Sequence, residues 1–300
     1  MRIVFLRLNR VTTMKHLSLL LISFSLLVSC GKKDVNDSWQ TPSLAAETRA
    51  NVAYGTDAFQ KMDVFLPAGR NVDSTNVVVL IHGGAWIEGD KADFTAQMDT
   101  LKKRLPGYAL VNVNYRLASA SANHFPTQEQ DIKAALTYLY DHRMDYRLSD
   151  RWVLLGASAG GHLALLQAYK YASPVRPKAV VSFFGPTDMA GMYNAQTTNL
   201  TILGMQLLMN GTPASNPASY QQSSPLTFAG AQSPPTLLLH GGMDDIVPVA
   251  QSTTLRDKLA TNSIPVQYYF FPTEGHGIWS PANTSIAYGK VEAFIRQYMP

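Results

Sequence analysis

Residues whose types suit acyl transfer occur along this chain in a fixed order: Ser158, then the neighbours Asp244 and Asp245, then His276. Ser158 sits in Gly156-Ala157-Ser158-Ala159-Gly160, straight after Val153-Leu154-Leu155. This is the G-x-S-x-G pattern of a serine raised on a sharp strand-to-helix turn, where the flanking positions must be small because strand and helix pass close together. A serine hydroxyl is a weak nucleophile near neutral pH and needs a base within hydrogen-bond reach. His276 would be that base, and one of the two aspartates would orient its imidazole. A developing oxyanion needs N–H donors fixed in advance. His82-Gly83-Gly84 supplies a glycine loop for them, and Ala159 follows the nucleophile.

Such a constellation needs a scaffold that brings loop ends together. β-rich segments are predicted at 61–66, 77–82, 108–115, 152–155, 179–184, 236–240 and 266–271, with amphipathic helices such as 127–142 and 249–261 between them. Runs such as VVVLI and TLLLH are apolar throughout, as parallel strands buried on both faces are. The alternation predicts an α/β layer fold with a mostly parallel central sheet and helices on both faces. Ligands of such sheets bind beyond the carboxyl ends of the strands, where His82-Gly83-Gly84, Ser158, Asp244-Asp245 and His276 all fall. The stretch 186–230 breaks the rhythm with many Gly, Pro, Ser, Asn and Met residues. It reads as an insertion over one end of the sheet, a cap-like segment whose folding would set the size of the acyl pocket.

HGGAWIEGDK, VNYRL, FPTQEQDIKAAL, GASAGG, HGGMDDIVP and EGHGIW follow one another in this chain. Together they resemble the α/β-hydrolase superfamily, nearest its carboxylesterase branch with a His-Gly-Gly oxyanion loop, akin to hormone-sensitive-lipase-like and acetyl-xylan or feruloyl esterase-like enzymes. The resemblance spans roughly residues 50–300. It implies Ser158 as nucleophile, Asp244 as acid, His276 as base and Gly83, Gly84 and Ala159 as oxyanion donors, with no cofactor. The spacing H-G-x-x-D-x-x-V-P selects Asp244 over Asp245. Ala85 stands where lipase-type His-Gly-Gly-Gly loops often carry a third glycine, which leaves the donor pair open. The implied activity is hydrolysis of short-chain carboxylic esters, acetyl to butyryl, with acetylated carbohydrates among the substrates. The alternatives are a prolyl-oligopeptidase-like peptidase and a catalytically silent binding module.

Other residues carry weaker signals. His82 would orient the oxyanion loop, His162 would pack in the first turn after Ser158, and His240 would support the aspartate loop. Asp188 suits a turn better than a pocket wall. Trp86, Tyr115, Phe125 and Trp279 fit either ring stacking on substrate or ordinary core packing. The histidines lack the H-E-x-x-H spacing of a metal site.

At 300 residues, 46% hydrophobic and 15% charged, the chain has the composition of a globular protein. Its formal charge of +4 is concentrated at the N-terminus, since residues 1–30 hold Arg2, Arg7, Arg10 and Lys15 and no carboxylate. The other 21 basic residues balance 21 acidic ones, so no basic face for nucleic acid is expected. The apolar run LSLLLISFSLLVSC follows a basic segment, as in a signal peptide. Its end, Leu27-Val28-Ser29-Cys30-Gly31, resembles a bacterial lipobox. Residues 1–29 are therefore expected to be a lipoprotein signal, Cys30 the lipidated residue, 30–49 a tether and 50–300 the hydrolase domain. The expected location is the bacterial cell envelope, lipid-anchored to the outer membrane or cell surface. Cys30 is the only cysteine, so no disulfide within the chain is possible.

Overall fold

The eight strands are β1 (Glu47–Ala53), β2 (Lys61–Leu66), β3 (Val77–Ile81), β4 (Ala109–Val113), β5 (Trp152–Ala157), β6 (Ala179–Phe183), β7 (Thr236–Gly241) and β8 (Val266–Phe271). They lie side by side in the order β1-β2-β4-β3-β5-β6-β7-β8. β1 with β2 and β2 with β4 are antiparallel; every later pairing is parallel. This computed structural model describes residues 44–196, 199–277 and 279–300. The expected signal peptide (1–29), Cys30 and the tether up to residue 43 lie outside the described residues.

The helices are α1 (Thr95–Arg104), α2 (Thr127–Asp141), α3 (Arg143–Tyr146), α4 (Ala159–Lys170), α5 (Met189–Asn194), α6 (Asn199–Met209), α7 (Pro217–Gln222), α8 (Pro225–Phe228), α9 (Ala250–Thr261) and α10 (Pro281–Tyr298). Side chains alternate across the central strands and feed two cores. Val77, Val79 and Ile81 of β3 join Ile132, Leu136, Leu163 and Leu255 from α2, α4 and α9. Val78 and Leu80 join Leu101 of α1 and Val291, Phe294 and Ile295 of α10 on the other face. Burying both faces makes continuous apolar runs the stable solution for these strands.

The mostly parallel sheet with helices on both faces is the fold that the sequence predicts. β1 was not foreseen: it begins at Glu47, inside the stretch 30–49 expected as a tether. Its sequence ETRANVA buries no residue fully and its pairing is irregular between Arg49 and Val52, so it carries no alternating apolar signal. Residues 186–230 fold into α5–α8, and Met189, Met192, Met205, Leu208, Met209 and Tyr220 sink into the core shared with α2 and α4.

Candidate active site

Ser158 occupies the turn between β5 and α4 with φ 53° and ψ −123°, a backbone conformation that non-glycine residues avoid unless their surroundings enforce it. The enforcement comes from both sides. Its N–H donates to the Phe183 carbonyl at 2.9 Å and its carbonyl accepts from the His162 N–H at 2.9 Å. A Cβ on Gly156 would overlap the Gly160 carbonyl, and one on Gly160 would overlap the Ile81 carbonyl. That is why the two outer positions of G-x-S-x-G must be glycine here.

His276 Nε2 lies 2.9 Å from Ser158 Oγ, and its Nδ1 lies 2.9 Å from Asp244 Oδ2. The structure thus brings together the serine, histidine and aspartate that the sequence selects. Asp244 is fully buried at its side chain. Its Oδ1 accepts from the N–H groups of Ile246 (3.0 Å) and Val247 (2.8 Å). Burial alone would raise its pKa, but hydrogen bonds from His240 and His276, the His276 charge and the Val247 N–H outweigh it. The carboxyl stays well below the usual carboxylate range. Asp245, by contrast, is exposed and makes no hydrogen bond or ion pair with any described residue. His240 is buried behind Asp244, with Nε2 at 3.3 Å from Oδ2 and 2.9 Å from the Val247 carbonyl. Its Nδ1 meets Ser252 Oγ at 2.7 Å.

The loop after His82 leaves β3 through three successive left-handed residues, Gly84 (φ 100°), Ala85 (φ 49°) and Trp86 (φ 63°). Gly83 runs beside Ser158; a Cβ there would lie 3.3 Å from Ser158 Cβ. The N–H groups of Gly83, Gly84 and Ala85 donate to no described residue. Ala159 opens α4, where first-turn N–H groups have no intrahelical acceptor. The Tyr115 hydroxyl donates to the carbonyls of His82 and Gly83. The His82 ring stacks on Tyr115 at 4.3 Å and donates from Nδ1 to the Gly83 carbonyl at 2.7 Å. Burial pushes the His82 pKa down, which keeps the ring neutral.

Residues 62–259 match the family model BD-FAE. This chain belongs to the BD-FAE family. Among curated relatives, "Probable carboxylic ester hydrolase LipM" of Mycobacterium tuberculosis is 31% identical over 240 residues, covering 74% of this chain and 54% of LipM. "Dipeptidyl peptidase family member 6" of Caenorhabditis elegans is 27% identical over 74% of this chain and 31% of its own length. The chain spans about half the length of LipM and less of the peptidase. Among solved structures, "Bifunctional GH43-CE" of Bacteroides eggerthii superposes with a TM-score of 0.73 at 28% identity, over 84% of this chain and 35% of that one.

In this BD-FAE chain a cavity of about 470 Å³ opens onto Ser158 and His276. Phe94, Phe183, Phe184, Trp279 and Tyr288 give it aromatic walls, and Glu88, Asp93, Gln97 and Thr284 add polar groups. The cavity runs between α1 and α10. None of the described residues of 186–230 lines it, so α5–α8 do not set its size as the sequence reading expected. Gln97, Phe94 and Tyr288 went unrecognised because each sits at an ordinary helical position outside any motif. Of the aromatics considered for stacking, only Trp279 lines this cavity; Trp86 and Tyr115 are buried elsewhere, and Phe125 lines a separate surface hollow. Asp188 caps α5 by accepting from the Gly191 N–H. Among the described residues no group of three or more His, Cys, Asp or Glu side chains could hold a metal ion.

Proposed function

We propose that this protein is a serine esterase that cleaves short-chain carboxylic esters, including esters of carbohydrate alcohols, through an acyl-enzyme. The observation that carries the reading is the continuous hydrogen-bond chain from Ser158 Oγ through His276 to Asp244 Oδ2, 2.9 Å at each step. Ser158 Oγ attacks the ester carbonyl carbon while its proton passes to His276 Nε2. Asp244 holds Nδ1–H in place and stabilises the imidazolium. Ala159 and the residue 83–85 loop would donate to the oxyanion. Collapse expels the alcohol, which takes the proton back from Nε2 and leaves an acyl-serine. Water then adds by the same proton path, and the carboxylic acid leaves with the Ser158 hydroxyl restored. Glu88, Asp93 and Gln97 at the cavity offer acceptors to hydroxyl groups, which favours a neutral, polyhydroxylated alcohol over an anionic one. The test is a series of p-nitrophenyl esters from acetate to octanoate, followed by acetate release from acetylated xylan. Octanoate turned over faster than acetate would overturn the short-chain assignment.

The match to a dipeptidyl peptidase keeps amide cleavage as the second reading, and dipeptide p-nitroanilides hydrolysed faster than the esters would select it. A silent binding module would fail to react with a fluorophosphonate probe at Ser158. The basic segment, apolar run and Leu27–Cys30 sequence further support export and lipid anchoring at Cys30. Cys30→Ala should then release the protein from the membrane fraction or stall its processing. Unchanged partition would refute the anchor.

A further inference from the structure

Trp86 and His162 form a buried contact that the reaction above does not use. Trp86 is 4% exposed and His162 fully buried. The Trp86 indole N–H donates to His162 Nδ1 at 3.1 Å, and the rings meet edge to face at 5.1 Å. On the far side His162 Nε2 lies 2.6 Å from the Ser223 carbonyl. A carbonyl can only accept, so Nε2 carries the proton and Nδ1 is left as the acceptor that the indole requires. The ring is neutral and held in one tautomer, with both nitrogens used.

The three connected parts differ in role. His162 belongs to the first turn of α4, and its own N–H bonds to the Ser158 carbonyl. Trp86 ends the left-handed run of the oxyanion loop, and its carbonyl accepts from Ala118 at 2.9 Å. Ser223 lies between α7 and α8 in the insertion. A second route joins the insertion to the same loop: a Cβ on Gly204 of α6 would meet Ile87 Cδ1 at 3.6 Å. Two non-glycine residues at positive φ are disfavoured and persist only where surroundings over-determine them. We infer that His162 is a positioning residue: through the Trp86 indole it fixes the oxyanion loop relative to Ser158, and through Ser223 it makes α5–α8 a brace for that loop. This rests on the esterase reading.

The test uses the full chain with two substitutions, singly and together. Trp86→Phe keeps a ring but removes the indole N–H; His162→Leu removes its acceptor. Donors to an oxyanion act only in the transition state, so their misplacement lowers kcat and spares KM. Each single variant should lose about ten- to a hundredfold in kcat on p-nitrophenyl acetate with KM within about twofold, and the double variant should be no worse than the poorer single. The rate of fluorophosphonate labelling should fall in parallel, while Trp86→Phe, which leaves the buried His162 Nδ1 without a donor, stays folded at 25 °C with a melting temperature lowered by several degrees. An unchanged kcat in folded Trp86→Phe, a loss confined to KM, or multiplying effects in the double variant would overturn the inference. If His162→Leu fails to fold, Trp86→Phe decides alone. If the wild-type chain hydrolyses no ester, the esterase reading fails first. The brace is then decided by proton NMR, with a protected Trp86 indole resonance supporting it and fast exchange of that proton overturning it.

Discussion

On the α1–α10 side of Ser158, the Gln97 side-chain carbonyl stands unpaired beside the cavity, whereas on the α5–α8 side Thr187, Ser224 and His162 are paired in closed networks. Gln97 Oε1 is buried with no hydrogen bond, and it shares the cavity with five aromatic rings. Across Ser158, Ser224 Oγ donates to the Tyr220 carbonyl at 2.7 Å and accepts from the Met189 N–H at 2.9 Å. Thr187 donates from N and Oγ1 to Gln251 at 2.8 and 2.6 Å, and His162 is bonded at both nitrogens. Buried polar groups are normally satisfied, and exceptions call for an explanation. The open side leaves hydrogen-bonding capacity to be completed by a ligand. Thr187, Ser224 and His162 have theirs taken up by neighbouring segments and serve to hold geometry.

Substitutions between the two sides give the largest effects. Ser158→Ala removes the attacking atom and should lower kcat on p-nitrophenyl acetate by about ten-thousandfold or more, with both flanks intact. Asp244→Asn preserves shape but favours the wrong imidazole tautomer, which costs up to about ten-thousandfold in serine proteases. We expect a loss of at least about a hundredfold. Asp245→Asn, at an exposed and unpartnered position, should stay within about tenfold of wild type. The reverse pattern would transfer the acid's role to Asp245; full activity in both would dissolve the triad.

The closed side makes its own prediction in acid. Burial lowers the His162 pKa from 6.5 to about 4. Above pH 6.5 the ring is neutral in both folded and unfolded chains and contributes no pH dependence. As pH falls below 6.5 the unfolded chain binds the proton first, so stability is lost until about pH 4, where the folded ring protonates too. The loss amounts to about 3 kcal/mol. The melting temperature of wild type should therefore fall more between pH 6.5 and 4 than that of His162→Asn, even if the variant is less stable at pH 7. Parallel curves would show that His162 is not held neutral.

How far each side could be read in the sequence follows from the same contrast. The elbow, the Asp244 loop and the His276 loop were legible because backbone geometry there dictates residue type: glycine where a Cβ would collide, and acid, base and nucleophile in one order. Seven of the eight strands were legible: β3–β7 because burial on both faces demands apolar runs, β2 because its apolar residues alternate and β8 because it is rich in aromatic residues. β1 was not, since an edge strand such as ETRANVA has little apolar surface to hide. The pocket walls were illegible for a different reason. Phe94, Gln97 and Tyr288 line the cavity only because α1 and α10 pack on one face of the sheet, which no short motif encodes. His162 was read as a packing residue, and burial does describe it; its bonds to Trp86 and Ser223 join segments that lie far apart in the chain.

The smallest effect belongs to Gln97, and it separates a ligand-completed pocket from a merely imperfect one. An unsatisfied buried oxygen costs about 1–3 kcal/mol, and Gln97 makes no side-chain hydrogen bond with any described residue. Gln97→Leu keeps the approximate volume and removes that cost, so the melting temperature should rise by about 2–4 °C for a gain near 1 kcal/mol. If the open side reads hydroxyl groups, the same change should lower kcat/KM several-fold on acetylated sugars while leaving p-nitrophenyl acetate near wild type. That ratio matters more than either number, because a general packing defect would lower both substrates together. A rise in stability with no change in the ratio would mean that Gln97 is an uncompensated flaw in the wall, and the polar contacts to the alcohol would have to come from Glu88, Asp93 or Thr284.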